Sequence, residues 1–254
     1  MDNEPPLQTN SIFQRLRHGF AARMRPPMVD NMTALTPTQV LENKILTLVI
    51  NTAGNILTYS ETLGFSSRDE FINYIRCKKI ADIGSGFDGF ALDVLLRRLD
   101  TTVIPINPAR TTSSFADNRR KELEELRPTL WPDHDMQAID AALLEVDQRA
   151  IVAFAHDLSA IPDEEVDMVI DNKGVFYYAD PQNEEIYERS IKEMLRIVKP
   201  GGRILIGDKL HLQLGAEPWY KRIFDRLGLD YHYLEKDTGK PGLAHRYGVG
   251  IIKQ

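Results

Sequence analysis

Short apolar runs alternate with amphipathic stretches along most of the chain. Five runs have the length and the apolar or β-branched content of buried strands; they lie at residues 80–83, 101–107, 151–157, 166–171 and 203–208. Stretches with helical periodicity separate them, at residues 89–96, 115–126, 136–146 and 184–198. Strands that alternate with helices predict a parallel sheet covered on both faces.

Two further β-like segments, at residues 230–234 and 247–252, have no helical stretch between them. We interpret this pair as a C-terminal antiparallel hairpin. Together the seven segments predict an α/β fold, with a Rossmann-like doubly wound seven-stranded sheet that carries the hairpin at one side.

A helical extension is predicted before the first strand. Residues 31–78 hold two amphipathic stretches with N-cap residues, Thr36 for the first and Ser66 or Ser67 for the second. A capping residue followed by an apolar-periodic stretch is a helix-start signal. We therefore predict a helical cap that covers an edge of the sheet or a pocket.

The first residues are polar and then basic. Residues 12–27 combine arginines with apolar positions, and no acidic residue occurs between Glu4 and Asp30. We expect residues 1–30 to be disordered or to form a basic amphipathic helix. Such a helix would contact an anionic membrane surface, RNA or a partner, or its arginines would simply be solvated.

A glycine-rich turn joins the first predicted strand to its helix, with Gly84, Gly86 and Gly89. Glycine lets the backbone turn tightly and lets a ligand approach closely. The first turn of a helix also offers free N–H groups to polar or anionic ligand groups. The turn therefore indicates a nucleotide-like cofactor, although a strand-to-helix turn without a ligand has the same pattern.

Composition narrows the class of protein. The chain has 254 residues, a net charge of −6 and one cysteine, Cys77, which excludes an internal disulfide framework. His211, His232 and His245 lack the spacing of metal ligands, so no metal site is predicted. The acidic total disfavours a protein that coats nucleic acid. Because the first residues lack the layout of a secretory signal, we expect a cytoplasmic location.

Four landmarks occur in order along residues 60–254; they are DIGSG at 82–86, Asp157, VDMVID at 166–171 and LRIVKPGGRILI at 195–206. With these landmarks the chain resembles the class I S-adenosylmethionine-dependent methyltransferases. The Lys-Pro-Gly-Gly turn between a helix and an apolar strand is the most specific of them, since glycine loops occur in many cofactor folds. The resemblance makes residues 79–254 a methyltransferase-like domain with a helical insertion at 108–149.

The resemblance implies S-adenosyl-L-methionine as the cofactor and places its contacts on eight residues, which are Asp82, Gly84, Ser85, Gly86, Asn107, Asp157, Leu158 and Asp171. In that family the glycine loop lies beside the methionine part of the cofactor. The acid after the third strand, here Asp157, accepts from the adenine amine, and Leu158 would pack on the ring. A carboxylate only accepts hydrogen bonds, so it suits amines and hydroxyls at strand ends.

Two positions depart from the family pattern. Asp88 stands where the family commonly has a glycine, and Asn107 stands where an acid binds the ribose. An amide oxygen accepts without the help of a charge, which makes the bond weaker. A protein that keeps the fold for binding or regulation, with little or no methylation, is therefore one alternative.

An NADP-dependent reductase is a second alternative. Asn107, Arg110 and the hydroxyl-rich residues 111–114 resemble a pocket for a 2′-phosphate. Reductases of that kind often carry a tyrosine and a lysine four residues apart, but the pair in this chain, Tyr74 and Lys78, precedes the glycine loop. The Lys-Pro-Gly-Gly turn and the terminal hairpin favour the methyltransferase.

Candidate catalytic residues follow the fourth predicted strand, because ligands lie beyond the carboxyl ends of parallel strands. Asp171 would orient or deprotonate an acceptor or only form a strand-end hydrogen bond, and Tyr177 would line the acceptor pocket. The segment lacks the Asn/Asp-Pro-Pro-aromatic signature of methyltransferases that act on base amines, so no nucleic-acid substrate is expected. These features predict in-line methyl transfer to a small-molecule acceptor.

Overall fold

The computed structural model describes residues 54–111, 115–172, 174, 184–207, 221–240 and 243–254. The predicted basic segment at 1–30, and the part of the cap up to residue 53, lie outside the described residues.

Helices and strands alternate through the described residues. The helices are α1 (Ile56–Thr62), α2 (Arg68–Ile75), α3 (Gly89–Leu96), α4 (Phe115–Leu130), α5 (Met136–Arg149), α6 (Glu184–Ile197) and α7 (Lys221–Leu227). The strands are β1 (Lys79–Ile83), β2 (Thr102–Ile106), β3 (Val166–Asn172), β4 (Val198–Gly207), β5 (Tyr231–Lys240) and β6 (Leu243–Ile252). A single 3₁₀ turn, Pro108–Thr111, follows β2. None of the described helices has the length and apolar content needed to cross a membrane.

The six described strands form one mixed sheet in the order β2-β1-β3-β4-β6-β5. The four strands from β2 to β4 are parallel, whereas β6 runs antiparallel to both β4 and β5. The α/β class is therefore confirmed, with a sheet of six strands in the described residues in place of the seven predicted. The connection between β5 and β6, residues 241–242, lies outside the described residues.

The predicted third strand at residues 151–157 is wrong. Only Ile151 pairs with a neighbour, in a single parallel bridge to Ile106. Because Ile106 is the last residue of β2, the apolar run starts where the strand that it bridges ends. Among the described residues no strand pairing continues beyond Ile151, and Val152 is half exposed. An apolar run becomes a strand only where a partner strand extends beside it.

Alternating side chains of the central strands serve two cores, one on each face of the sheet. Ile80 and Ile170 pack with the aromatic side chains of α1 to α3, among them Phe71 and Phe90. Neighbouring strand residues face the other way, toward a core that α6 and α7 complete; its members include Ala81, Ile83, Val169, Ile191, Met194, Ile223 and Phe224. Both faces of β1 and β3 are therefore covered up to the strand ends, where polar residues begin.

Helices α4 and α5 pack against the start of α3 and the loop before it. Their shared core contains Phe87 and Leu92 from that region; the other buried members are Phe115, Leu123, Trp131, Ile139 and Leu143. The insertion between β2 and Ile151 thus lies directly on the loop that the glycine pattern singled out.

Asp93 joins three parts of the chain through one buried carboxylate. The side chain is 2% exposed. One oxygen accepts from the backbone N–H of Ile56 at the start of α1, at 3.1 Å. The other accepts from the indole N–H of Trp131, at 2.8 Å, and from Arg97, at 2.7 Å. Asp93 therefore ties the cap, the insertion and α3 together.

We expect Asp93→Ala to lower the free energy of unfolding by about 3 kcal/mol, because it leaves a buried indole N–H and a backbone N–H without an acceptor. Urea unfolding followed by tryptophan fluorescence measures this loss. Asp140→Ala is the matched control, because Asp140 pairs with Arg120 between α4 and α5 with both side chains well exposed. Equal stability of the two variants would contradict the role assigned to Asp93.

Candidate functional site

The carboxyl ends of β1 and β3 meet at two glycines. Gly84 has a φ of +69°, and a Cβ on it would lie 2.8 Å from the Cα of Gly174. The backbone N–H groups of Gly84 and Ser85 donate to the carbonyl of Ile106, at 2.8 and 3.2 Å. The glycine loop is therefore held against the ends of β2 and β3 at a separation that no side chain at residue 84 would permit.

Asp82 lies fully buried in β1, two residues before Gly84. Both of its carboxylate oxygens accept from the hydroxyl of Tyr59 in α1, at 2.8 and 3.0 Å. The ring of Tyr59 stacks on Phe90 of α3, with the centroids 4.4 Å apart. The cap thus supplies the donor that allows an acidic side chain to remain inside the sheet.

Buried acidic groups surround this strand end. Burial raises the pKa of Asp82 well above its usual range, the hydrogen bond from Tyr59 lowers it, and the nearby charges of Asp88 and Asp171 raise it further. Asp88 and Asp171 are themselves 0% and 1% exposed. Asp82 and Asp171 therefore place buried carboxyl groups at the ends of neighbouring strands, where a positively charged group would be favoured.

Asn107 follows β2 and holds the glycine loop. Its side-chain N–H donates to the carbonyl of Gly86 at 2.9 Å, and the residue is 1% exposed. Gly86 has a φ of +58°. The predicted ribose-binding residue therefore lies next to the loop as expected, with its amide nitrogen engaged in fixing the loop.

Arg110 belongs to an ion-pair cluster and is 9% exposed at its side chain. Its guanidinium contacts Asp88 and Asp147, each at 2.5 Å. A 2′-phosphate would have to displace both carboxylates, so this arginine gives no support to the reductase alternative. Tyr74 and Lys78 lie before the first residue of β1, at the strand end opposite to the glycine loop.

Asp157 is exposed, and its carboxylate accepts from the backbone N–H of Ser159 at 3.4 Å. Bonds from Ser159 hold the pKa of Asp157 below its usual value, so the group is ionised at neutral pH. Leu158 is buried in the core that α6 completes, and its N–H donates to Glu193 at 2.9 Å. Within the described residues, no hydrogen bond joins Asp157 to the glycine loop.

The structure thus brings together most of the residues that the sequence singled out; those around the loop are Asp82, Gly84, Ser85, Gly86, Asn107 and Asp171. Tyr177 lies outside the described residues. Tyr59 was missed, because nothing in its local sequence shows that it meets an acid 23 positions away. No group of three metal-ligating side chains occurs in the described ranges.

Comparison with known proteins identifies the fold. Residues 81–206 match the sequence model of a family described as "Methyltransferase domain". This part of the chain is a class I S-adenosylmethionine-dependent methyltransferase domain. Its cofactor is S-adenosyl-L-methionine. No curated protein matches the chain significantly in sequence.

Solved structures also resemble the chain. One is a Methanococcus maripaludis protein assigned as an S-adenosyl-L-methionine-dependent methyltransferase, 13% identical, with a TM-score of 0.47 over 90% of this chain and 98% of that chain. Another is the 1,6-didemethyltoxoflavin-N1-methyltransferase of Burkholderia thailandensis, 12% identical, with a TM-score of 0.44 over 100% of this chain and 94% of that chain. At this level of likeness we transfer no residue roles from either protein.

The residues at the strand ends of the methyltransferase domain fit this cofactor. S-adenosylmethionine carries a sulfonium and an ammonium group, and Asp82 and Asp171 place carboxyl groups at the ends of neighbouring strands. Gly84 and Gly86 adopt left-handed conformations, which let the loop backbone turn tightly at the strand ends. When bound, the cofactor supplies an electrophilic methyl group.

We expect Tyr59→Phe to destabilise the protein by about 1–3 kcal/mol at neutral pH, since the buried carboxylate of Asp82 loses its donor. The hydroxyl lowers the pKa of Asp82, so its removal raises that pKa further. A raised pKa favours the folded state at low pH and costs stability as the pH rises through it. The difference between Tyr59→Phe and the parent should therefore shrink on acidification.

Urea unfolding at a series of pH values measures this difference. Tyr74→Phe is the control, because the hydroxyl of Tyr74 pairs with Arg203 at 2.8 Å and contacts no buried acid. A Tyr59→Phe effect that is independent of pH would show that the hydroxyl does not stabilise an ionised Asp82.

Proposed function

We propose that this protein transfers the methyl group of S-adenosylmethionine to a small-molecule acceptor. The observation that carries the proposal is the cluster of buried carboxyl groups beside the glycine loop, with Asp82 and Asp171 on adjacent strands. Such a cluster costs stability unless a cation offsets it, and the cofactor of this domain is cationic at its reacting end.

The chain's own residues would bind the cofactor, orient the acceptor and take its proton. Asp82 and the loop at Gly84 to Gly86 would hold the methionine part of the cofactor, with Asn107 beside the ribose and Asp157 as the acceptor for the adenine amine. Positioning is the main contribution of a protein to such a displacement. Asp171 would orient the methyl acceptor and take its proton.

Asn172 supports an acceptor that carries an N–H or O–H group. Its side-chain oxygen is buried at the end of β3 and has no hydrogen-bond partner among the described residues. The oxygen lies beside the end of β4, where a Cβ on Gly207 would come within 2.7 Å of it. A buried acceptor of this kind is normally satisfied, and a hydroxyl or amine of the substrate would satisfy it.

Binding measurements test the proposal. Isothermal titration calorimetry should detect both S-adenosylmethionine and S-adenosylhomocysteine, and no NADPH. Asp157→Ala should weaken both sulfur nucleotides by about tenfold, the loss expected for one charge-assisted hydrogen bond. Asp163→Ala, at an exposed carboxylate that pairs with Arg196, is the control. If neither nucleotide binds at millimolar concentration, the proposed function is wrong.

The pH dependence of binding tests the role of Asp82 separately. Because burial raises its pKa, Asp82 gains charge only as the pH rises through that raised value. A cation that prefers ionised Asp82 should therefore bind more tightly at higher pH, by up to about tenfold per pH unit. Its binding should release a proton from the Asp82 carboxyl group. Between roughly pH 5 and 7 the cofactor's α-amino group remains charged.

Asp82→Asn removes the titrating group and keeps an oxygen for the Tyr59 hydroxyl. Its affinity for S-adenosylmethionine should be lower than that of the parent and nearly flat over the same pH range. Calorimetry in two buffers of different ionisation enthalpy counts the protons released. The same pH dependence in parent and variant would assign the titration to another group.

A further inference from the structure

Asp88 has an unusual conformation for a non-glycine residue. It directly precedes α3, has a φ of +62° and a ψ of +20°, and makes no side-chain cap to that helix. A left-handed residue other than glycine costs about 1–2 kcal/mol. Asp88 is also completely buried. A residue that is both strained and charged needs compensating contacts to remain in place.

Those contacts come from the glycine loop itself and from the insertion. One oxygen of Asp88 accepts from Ser85 in the glycine loop, at 3.0 Å. The other oxygen accepts from Arg110, at 2.5 Å, and from Arg119 of α4, at 2.8 Å. Asp147 of α5 then binds both arginines, and its bonds to Arg119 are 2.8 and 2.9 Å long.

The four side chains Asp88, Arg110, Arg119 and Asp147 form a cluster with no net charge, which we call the clamp. The arginine side chains are 9% and 11% exposed. In such a setting an ion pair is only weakly screened by solvent, and removing one partner leaves a buried charge uncompensated. The clamp is therefore sensitive to the loss of any member.

An aromatic contact reinforces the clamp. Both guanidinium groups lie 5.3 Å from the centre of the Phe115 ring. The same ring meets Phe87 of the glycine loop edge to face, at 5.6 Å. The insertion thus holds two consecutive loop residues, Phe87 by packing and Asp88 by charge.

We propose that the clamp is a positioning device for the cofactor loop, so that the insertion forms part of the cofactor site. This rests on the proposed binding of S-adenosylmethionine at the glycine loop. Arg119 and Asp147 act through Asp88, which is bonded to Ser85 and lies two residues after Gly86. A glycine at residue 88 would adopt the left-handed conformation without strain. In this chain, contacts with the arginines of the clamp hold Asp88 in that conformation instead.

Arg119→Gln tests the clamp against a matched neighbour, Arg120→Gln. Arg120 lies on the same helix and pairs with Asp140 of α5, but it is well exposed and belongs to no contact with the loop. We expect Arg119→Gln to weaken S-adenosylhomocysteine binding by about tenfold, or ~1.4 kcal/mol, and Arg120→Gln to leave it unchanged. Arg119→Lys keeps the charge without the bidentate geometry, so its affinity should fall between the two.

Asp88→Gly separates the clamp from simple backbone strain. Glycine adopts the left-handed conformation without cost, so a loop that needs only that conformation would bind the nucleotide as tightly as the parent, or more tightly. The clamp instead requires a loss of about tenfold or more, because Arg110 and Arg119 lose their hold on the loop. Parent-like affinity in Asp88→Gly would overturn the proposal.

Hydrogen exchange distinguishes the clamp from an ion pair that only stabilises the fold. Without a link to the cofactor loop, ligand binding would not change exchange in the insertion. If loop and insertion are coupled, S-adenosylhomocysteine should slow exchange in residues 115–130 of the parent, since coupling between two sites is reciprocal. The effect should be absent in Arg119→Gln and retained in Arg120→Gln.

Tryptophan fluorescence is the control for folding of the insertion. Trp219→Phe leaves Trp131 as the only tryptophan of the chain, and its fluorescence reports whether each variant keeps the insertion packed.

The outcomes distinguish the two proposals. A parent protein that binds neither sulfur nucleotide contradicts the proposed function itself. A parent that binds, together with equal affinities for Arg119→Gln and Arg120→Gln, contradicts only the clamp. If Arg119→Gln does not fold, Arg119→Lys and Asp88→Gly provide the comparison.

Discussion

A carboxyl group inside a β-sheet is tolerated only if a donor reaches it. At Asp82 that donor is the hydroxyl of Tyr59, which bonds both oxygens of the buried group. The bond ties α1 of the cap to the end of β1 and keeps an acid at the point where the glycine loop begins. Burial raises the pKa of Asp82 and favours its protonated form, and the hydrogen bond from Tyr59 offsets part of that rise.

The same principle extends along α3 and the loop before it. Asp88 and Asp93 are nearly or fully buried, and each is satisfied by residues from outside the helix. Asp88 is held by two arginines of the insertion, whereas Asp93 bonds Trp131 of the insertion and the first residue of α1. Buried charges of this kind add little net stability, but their geometry specifies one arrangement of cap, loop and insertion.

The sequence predicted those features that depend on neighbours along the chain. Apolar runs correctly predicted the strands that pair with a neighbouring strand along their length, and the glycine pattern located the loop. The run at 151–157 failed as a strand because the end of β2, and not its own composition, decides whether it can pair. Strand β4 begins at Val198, five residues before the predicted start at residue 203. The extension includes Gly201 and Gly202, whose backbone groups bond to Lys253, a residue distant in sequence.

Side-chain partners were much harder to predict. Arg110 has the composition of a phosphate-binding residue, yet two aspartates, one 22 positions before it and one 37 after it, already surround it. Asp88 stands where the family commonly has a glycine, and its contacts show a loop held from outside. Such outcomes depend on which distant charges meet when the chain folds, and no local pattern encodes that distance.

The ion-paired clamp and the site around Asp82 and Asp171 differ in how their charges are arranged. At Asp88 each negative charge meets a positive one from the chain, so the cluster is complete without a ligand. Around Asp82 and Asp171 the described residues bring carboxyl groups together, and their mutual repulsion adds to the cost of burial. A protein keeps such a cost where function requires it. In the proposed function a cationic ligand would recover that cost on binding, and the recovered energy would favour S-adenosylmethionine over a neutral or anionic nucleotide.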